Sequence, residues 1–398
     1  MPRVRHCVIR VDGEVHEGLY DDLIAVEVSE RVGEPSSFAL QVGIYKKQQG
    51  GWTRLDETSA ADGGFAPWQR ITVAASFDDS PDVLIDGYVA GVGPRFEPVE
   101  ADSYVLVWGY DASYAMDLDE KVVAWPDKKY SDIATELFQA YGLDPTVVDT
   151  QVVQDQTKEL LIQRGTDWQF LKELARRVGF DVFVRGGAGY FRPAELSRTP
   201  QKDLAVHVGT LGTNVTWFEP RVVGDLPTKI AMARANPLTK AIEKVEVSES
   251  PLRALGERAG DALREGRQIP AQPVALAAPE PLVTDQAMEA LATGIRRRND
   301  WIVTGEGELD GTLYGRALRA DGVVLIKGAG QSFSGRYYVT EVTHRITPAG
   351  YTQRFKVTRN GLGVQGDEPF QGADAEPGEP AGNDERVEVR GAGREVAP

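Results

Sequence analysis

Cysteine, histidine and long apolar runs are what this sequence has least of. One cysteine, Cys7, in 398 residues excludes an internal disulfide and a cysteine-based metal site. It stands in the alternating run Val4–Val11, where a small buried hydrophobe is expected, and such sparing use fits synthesis in a reducing cytosol. The four histidines, His6, His16, His207 and His344, form neither an H-E-x-x-H motif nor an i,i+4 pair, so the usual zinc arrangements are missing. His6, His207 and His344 fall in strand-like runs and are expected to be hydrogen-bonded structural residues. No run of about 18 apolar residues occurs, and no membrane-spanning helix is expected. The opening MPRVRHCVIRVDG alternates like a strand and lacks the apolar segment and cleavage site of a signal peptide, so secretion by that route is not expected.

Basic residues are outnumbered: 44 Lys and Arg face 60 Asp and Glu, a net charge of −16. Phosphate neutralisation needs clustered cations, so no nucleic-acid binding is predicted. From Gly366 onward nine carboxylates face three arginines, which puts −6 on a Gly- and Pro-rich tail and leaves −10 on the body. That tail has the composition of a disordered segment.

Catalytic signatures are absent too. Gly305-Glu306-Gly307 and Gly328-Ala329-Gly330 lack phosphate-loop and dinucleotide spacing and are read as turns between strands. There is no G-x-S-x-G elbow. Asp117 with Asp119 and Glu120 is a pairing that an acidic chain produces by chance, and it defines no acid/base couple. Asn214-Val215-Thr216 matches a glycosylation sequon, which has no meaning in a chain that is not secreted. No catalytic, cofactor-binding or metal-ligating residue is assigned, and no cofactor is expected.

What is present is a soluble globular composition, 41% apolar and 26% charged, in a chain long enough for two or three domains. Residues 1–112 alternate in short, turn-separated runs: Leu23 to Val28, Phe38 to Val42, Ile71 to Phe77, Val83 to Val92 and Tyr104 to Tyr110. This predicts a small closed or nearly closed barrel. Residues 113–203 mix helix and strand, with Ser131 capping a helix through Tyr141. Strand signals return over 204–240. Across 241–300 the pattern weakens: Leu252, Leu255, Ala259 and Leu263 make a poor amphipathic helix, and Thr284 caps a better one ending in Arg296-Arg297-Arg298, cations that the helix dipole favours there. Residues 301–362 are β again, and 363–398 form the acidic tail. One β domain interrupted by an excursion back to the mixed domain fits this order.

The most informative run is Thr166–Pro193, TDWQFLKELARRVGFDVFVRGGAGYFRP. Thr166 and Gln169 form a capping box, and Asp167 meets the positive end of the helix dipole. Phe170, Leu171, Leu174 and Val178 make one apolar face. Gly179 ends the helix. Alternation from Phe180 to Arg185, a turn at Gly186-Gly187 and a return through Tyr190 to Arg192 make a hairpin. Every residue has a structural task, and none is left for chemistry.

The segment T-D-W-Q-F-L-K-E-L-A-R-R-V-G-F-D-V-F-V closely resembles the signature of the phage late control protein D family, the central hub of contractile-tail baseplates. The hub part of type VI secretion spike proteins is related to that family. The run from Gly311 to Gly361 looks like the family's terminal barrel, and W-G-Y-D-A-S-Y-A-M-D at 108–117 like its exit from the first barrel. The resemblance covers most of residues 1–361, with 50–65 and 241–283 poorly matched. It implies a β-rich α+β fold: two similar β-barrel domains, the second discontinuous, linked by an α/β domain. Three chains would form a trimeric ring with pseudo-six-fold symmetry. The implied partners are two further copies of the chain, hexameric tail-tube or tube-initiator proteins, a separate trimeric spike protein and other baseplate proteins, with no membrane insertion by this chain. Relatives that carry a lysozyme or spike domain do so after the hub, where this chain has the acidic tail. The expectation is therefore a non-enzymatic adaptor, made and assembled in the bacterial cytoplasm, in a phage tail or injection particle. A tail-tip peptidoglycan hydrolase and a glycan- or effector-binding module are the alternatives.

Overall fold

Alternation in the first hundred residues becomes strands whose inward side chains are buried. In the computed structural model the described residues are 7–15, 18–48, 50–56, 64–77, 80–151, 160–207, 212–235, 240–259, 274–277 and 285–365. His6, His16, Thr284, Leu263 and the acidic tail from Gly366 lie outside them. The first unit contains β1 (Cys7–Val11), β2 (Glu14–Val15), α1 (Leu19–Asp22), β3 (Leu23–Arg31), β4 (Ser37–Gly43), β5 (Arg70–Phe77), β6 (Ser80–Arg95) and β7 (Tyr104–Asp111). Ile9, Val26, Leu40, Val73 and Val107 form its core. Cys7 is buried among them, and that burial pushes its thiol up to about 12, where it is chemically inert.

The middle unit follows: β8 (Lys121–Trp125), α2 (Tyr130–Ala140), β9 (Asp144–Val147), β10 (Leu161–Gly165), α3 (Asp167–Val178), β11 (Asp181–Arg185) and β12 (Ala188–Arg192). Ser131 was expected to cap α2, but Lys129 holds that position and Ser131 lies in the first turn. α3 follows the sequence closely. Thr166 Oγ1 accepts from the Gln169 N–H at 3.2 Å, the half of the expected capping box that forms, and Gly179 closes the helix at φ 67° with its N–H on Ala175 O. The hairpin β11–β12 turns at Gly186-Gly187 with Arg185 opposite Ala188. Asp167 does more than face the helix dipole. It is buried and accepts from Lys121 Nζ, Gln163 Nε2 and Tyr141 Oη, each at 2.7 Å. Burial would raise its carboxyl, but these donors hold it below the usual range.

The last part contains β13 (Gln201–Ala205), β14 (Val215–Val222), β15 (Lys229–Ala235), β16 (Ile242–Val247), β17 (Arg258–Ala259), β18 (Val274–Ala277), α4 (Asp285–Arg298), β19 (Val303–Asp310), β20 (Gly322–Lys327), β21 (Gly335–Thr347), β22 (Gly350–Arg359) and β23 (Gly361–Leu362). The weak helix expected around Leu252 does not form among the described residues. Leu252 and Leu255 instead pack with Leu196, Tyr338 and Trp301. α4 lies on the small sheet β16-β15-β18 and also on α3, where Gly294 lets the helices touch: a Cβ there would meet Arg177 O at 2.2 Å. Arg297 and Arg298 donate to Val178 O and Arg176 O at 2.7 and 2.6 Å, covering carbonyls that the end of α3 leaves unpaired.

Thirteen strands form one ladder with the path β14-β19-β22-β21-β3-β4-β7-β6-β5-β1-β2, from which β20 and β13 branch at β21. The expected β-rich α+β class is present. Its first and last parts are joined by main-chain pairing of β3 with β21, with Glu27 opposite Arg345 and Val28 opposite His344.

Candidate functional site

Where β3 and β21 meet the tip of β11 and the turn Arg319–Asp321, the structure buries charge. Glu30 is 2% exposed and sits 2.7 Å from Arg319 Nη1, with Arg185 and His344 Nε2 each 3.7 Å away. Burial raises its carboxyl, and the Arg319 charge, His344 and Arg185 bring it below the ordinary value. His344 is fully buried, shares a 2.7 Å hydrogen bond with Tyr351 Oη, and is pushed down by burial against the pull of Glu30. It is therefore a neutral structural histidine at neutral pH. The other described histidine, His207, stands just past the end of β13 with φ 50°, outside the strand expected to hold it.

A second knot lies beside the first. Arg192 donates to Asp321 Oδ2 at 2.6 Å, and Tyr338 Oη lies 2.7 Å from Asp181 Oδ2 and 3.0 Å from Asp321 Oδ1. One phenol hydrogen cannot fully satisfy two carboxylates, so the pair favours a proton on one of them. Burial pushes Asp181 up to about 6, opposed by the Tyr338 hydrogen bond and helped by the Asp321 charge. Below about pH 6, protonated Asp181 can donate to Tyr338, which donates to Asp321, whose charge Arg192 balances.

Asp181 also borders two neighbouring clefts of about 540 and 550 Å³, which share Val32 and Trp301. The ladder's face across the β3–β21 seam is charged: Glu341 pairs with Arg31 and Lys356, and Arg354 with Glu306. On the first unit, Trp68 is 53% exposed, has φ 73°, and stacks on Tyr114 at 5.4 Å, with Tyr88 and Tyr110 completing the cluster.

The residues set aside in the sequence have structural tasks. Asp117 accepts from Thr166 Oγ1, and Asp119 lies 4.0 Å from Lys121. Asn214 uses both ends of its amide on Ala205 N and Asp203 O. Gly305 and Gly307 are not in a turn: they lie inside β19, where a Cβ would strike the rings of Phe218 and Phe355. Among the described residues no group of three or more His, Cys, Asp or Glu side chains could hold a metal ion, and no helix is long and apolar enough to cross a membrane. Sequence reasoning missed the charged junction and the Trp68 cluster. The only local signal for the junction is polar residues inside otherwise apolar strand runs, as at Glu30 and His344.

No curated protein sequence matches the chain. Among solved structures, the fold is similar to the 43 kDa tail protein of prophage MuSo2 from Shewanella oneidensis: TM-score 0.63, 16% identity, 89% of this chain and 98% of that one. It is similar to a tail protein from Neisseria meningitidis, with TM-score 0.63, 11% identity and coverage of 90% and 97%. A third is an E. coli type VI secretion component described as structurally similar to the T4 tail proteins gp27 and gp5, with TM-score 0.50, 11% identity and coverage of 88% and 76%. The chain thus shares the fold of phage tail proteins. In sequence, the family model described as the Alg8 N-terminal domain matches residues 55–348, a span that crosses all three units, and the chain belongs to that family.

Proposed function

We propose that the chain is a non-enzymatic structural hub in the baseplate of a contractile phage tail or a phage-derived injection system. Three copies would form a ring that accepts a hexameric inner tube on one face and a separate trimeric spike on the other. The observation that carries this reading is the β3–β21 ladder, which fixes two β-rich parts side by side in one chain. Divided as 1–112 and as 204–240 with 301–362, these parts would be the two barrels, so three chains would offer six β surfaces to a six-fold partner. The likeness to tail proteins along nearly their whole length and the late control protein D resemblance support the same reading. The particle would assemble in the bacterial cytoplasm.

Sedimentation of the purified chain should give three times its 43.5 kDa mass, and electron microscopy should show a ring with a central channel. A strictly monomeric chain in the presence of its spike would sink the proposal. One observation favours a second, glycan-handling reading: the Alg8 N-terminal domain is associated with glycosyltransferases. A zymogram against cell walls and a sugar-nucleotide transfer assay separate the two. The hub reading expects no clearing and no transfer.

A further inference from the structure

The cleft between α3 and α4 combines features that no part of the hub reading uses. Its floor is apolar: Leu252, Phe180 and Trp301 line it, and Trp301 is held flat against Tyr338 with ring centres 5.8 Å apart. Its rim carries Arg176, Arg297 and Arg298, and among the described residues no carboxylate pairs with any of the three. Arg297 and Arg298 each use one nitrogen on a carbonyl of α3, and Arg297 Nε is buried without a partner. Burial depresses both guanidiniums, and Arg176 repels Arg298 further. Three cations that no carboxylate neutralises, over an apolar floor in a chain of net charge −16, suit an acidic segment that also carries an aromatic ring.

The described chain leaves the body beside this cleft. Gln365 Nε2 donates to Ala254 O at 2.9 Å, and Leu252 on the cleft floor is two residues from Ala254. The next residues are Gly366-Asp367-Glu368-Pro369-Phe370, and Phe370 is the only aromatic residue from 366 to 398. At roughly 3.5 Å per residue, Phe370 can reach about 17 Å from Gln365.

We propose that the α3–α4 cleft is a peptide-docking site whose occupant is this chain's own segment 366–370, with Asp367 and Glu368 on the arginine rim and Phe370 on the Leu252–Trp301 floor. Pro369 lowers the entropy lost on docking. The test uses the full-length chain with p-benzoylphenylalanine in place of Phe370, which keeps an aromatic anchor. On irradiation, adducts should form within one chain, on peptides containing 172–182, 252 or 297–301. Their yield should fall several-fold in 1 M salt, where charges are screened beyond about 3 Å, and in the Asp367→Lys/Glu368→Lys chain. That variant changes only tail residues and leaves the body as it is. Combining it with Arg176→Glu/Arg298→Glu should restore the yield. Adducts on other surfaces, adducts between chains, or a yield indifferent to salt and to charge reversal would each overturn the proposal.

Discussion

At the scale of single residues, the molecule's unusual chemistry is a proton held between Asp181, Tyr338 and Asp321. Asp181 titrates near 6 in the folded chain and near 3.9 when unfolded. A carboxyl whose folded value is raised stabilises the fold below its unfolded value and loses that contribution as pH rises through the folded one. From about pH 4 to above pH 6 the chain should therefore lose roughly 3 kcal/mol from this group. Asp181→Asn keeps a donor toward Tyr338 at every pH. Its melting temperature should match the parent at pH 4.5 and exceed it at pH 7.5, and equal shifts at both values would refute the shared proton. The sequence could not announce this group. Its three members come from β11, the turn before β20, and β21, with Asp181 and Tyr338 157 positions apart. In an acidic chain each looks like one carboxylate or tyrosine among many. The same holds for Glu30 and His344, which meet only because β3 and β21 share a ladder.

At the scale of elements, the sequence was legible where the signal is local. Thr166, Gly179 and the Gly186-Gly187 turn act within a few residues of themselves, and all three behave as their residue types dictate. Ser131 and Leu252 misled because one apolar face and one capping residue are compatible with more than one register, and packing against distant residues selects among them. Gly294 shows what periodicity hides. Inside α4 it resembles a propensity defect of about 1 kcal/mol relative to alanine, yet the close approach to Arg177 O and Val178 C depends on it. Gly294→Ala should therefore destabilise where propensity alone predicts stabilisation. Backbone faces backbone here, so no side chain can move aside, and a loss of about 1–3 kcal/mol by denaturant unfolding is expected. An unchanged or raised midpoint would show that α4 can shift along α3 without cost.

At the scale of the whole molecule, the proposed ring of copies needs surfaces that meet other chains, and Trp68 gives the first unit a candidate for one. A bulky residue at φ 73° carries a backbone penalty of about 1–2 kcal/mol, and here the ring that incurs it is half in solvent. The backbone is pinned by Trp68 N on Val89 O at 2.8 Å, and the ring is supported by Tyr114 rather than enclosed. Such an arrangement gives the isolated chain little in return, whereas a preorganised, exposed tryptophan is the kind of residue that dominates an interface. Trp68→Gly removes the strain and the ring together. Thermal unfolding of the dissociated chain should move up or not at all. Association of the chains should weaken by about 2 kcal/mol or more, roughly thirtyfold in dissociation constant, read by sedimentation equilibrium. If association is unchanged while stability falls, the Trp68 cluster is a lid over the first core and the proposed ring would have to close through another face.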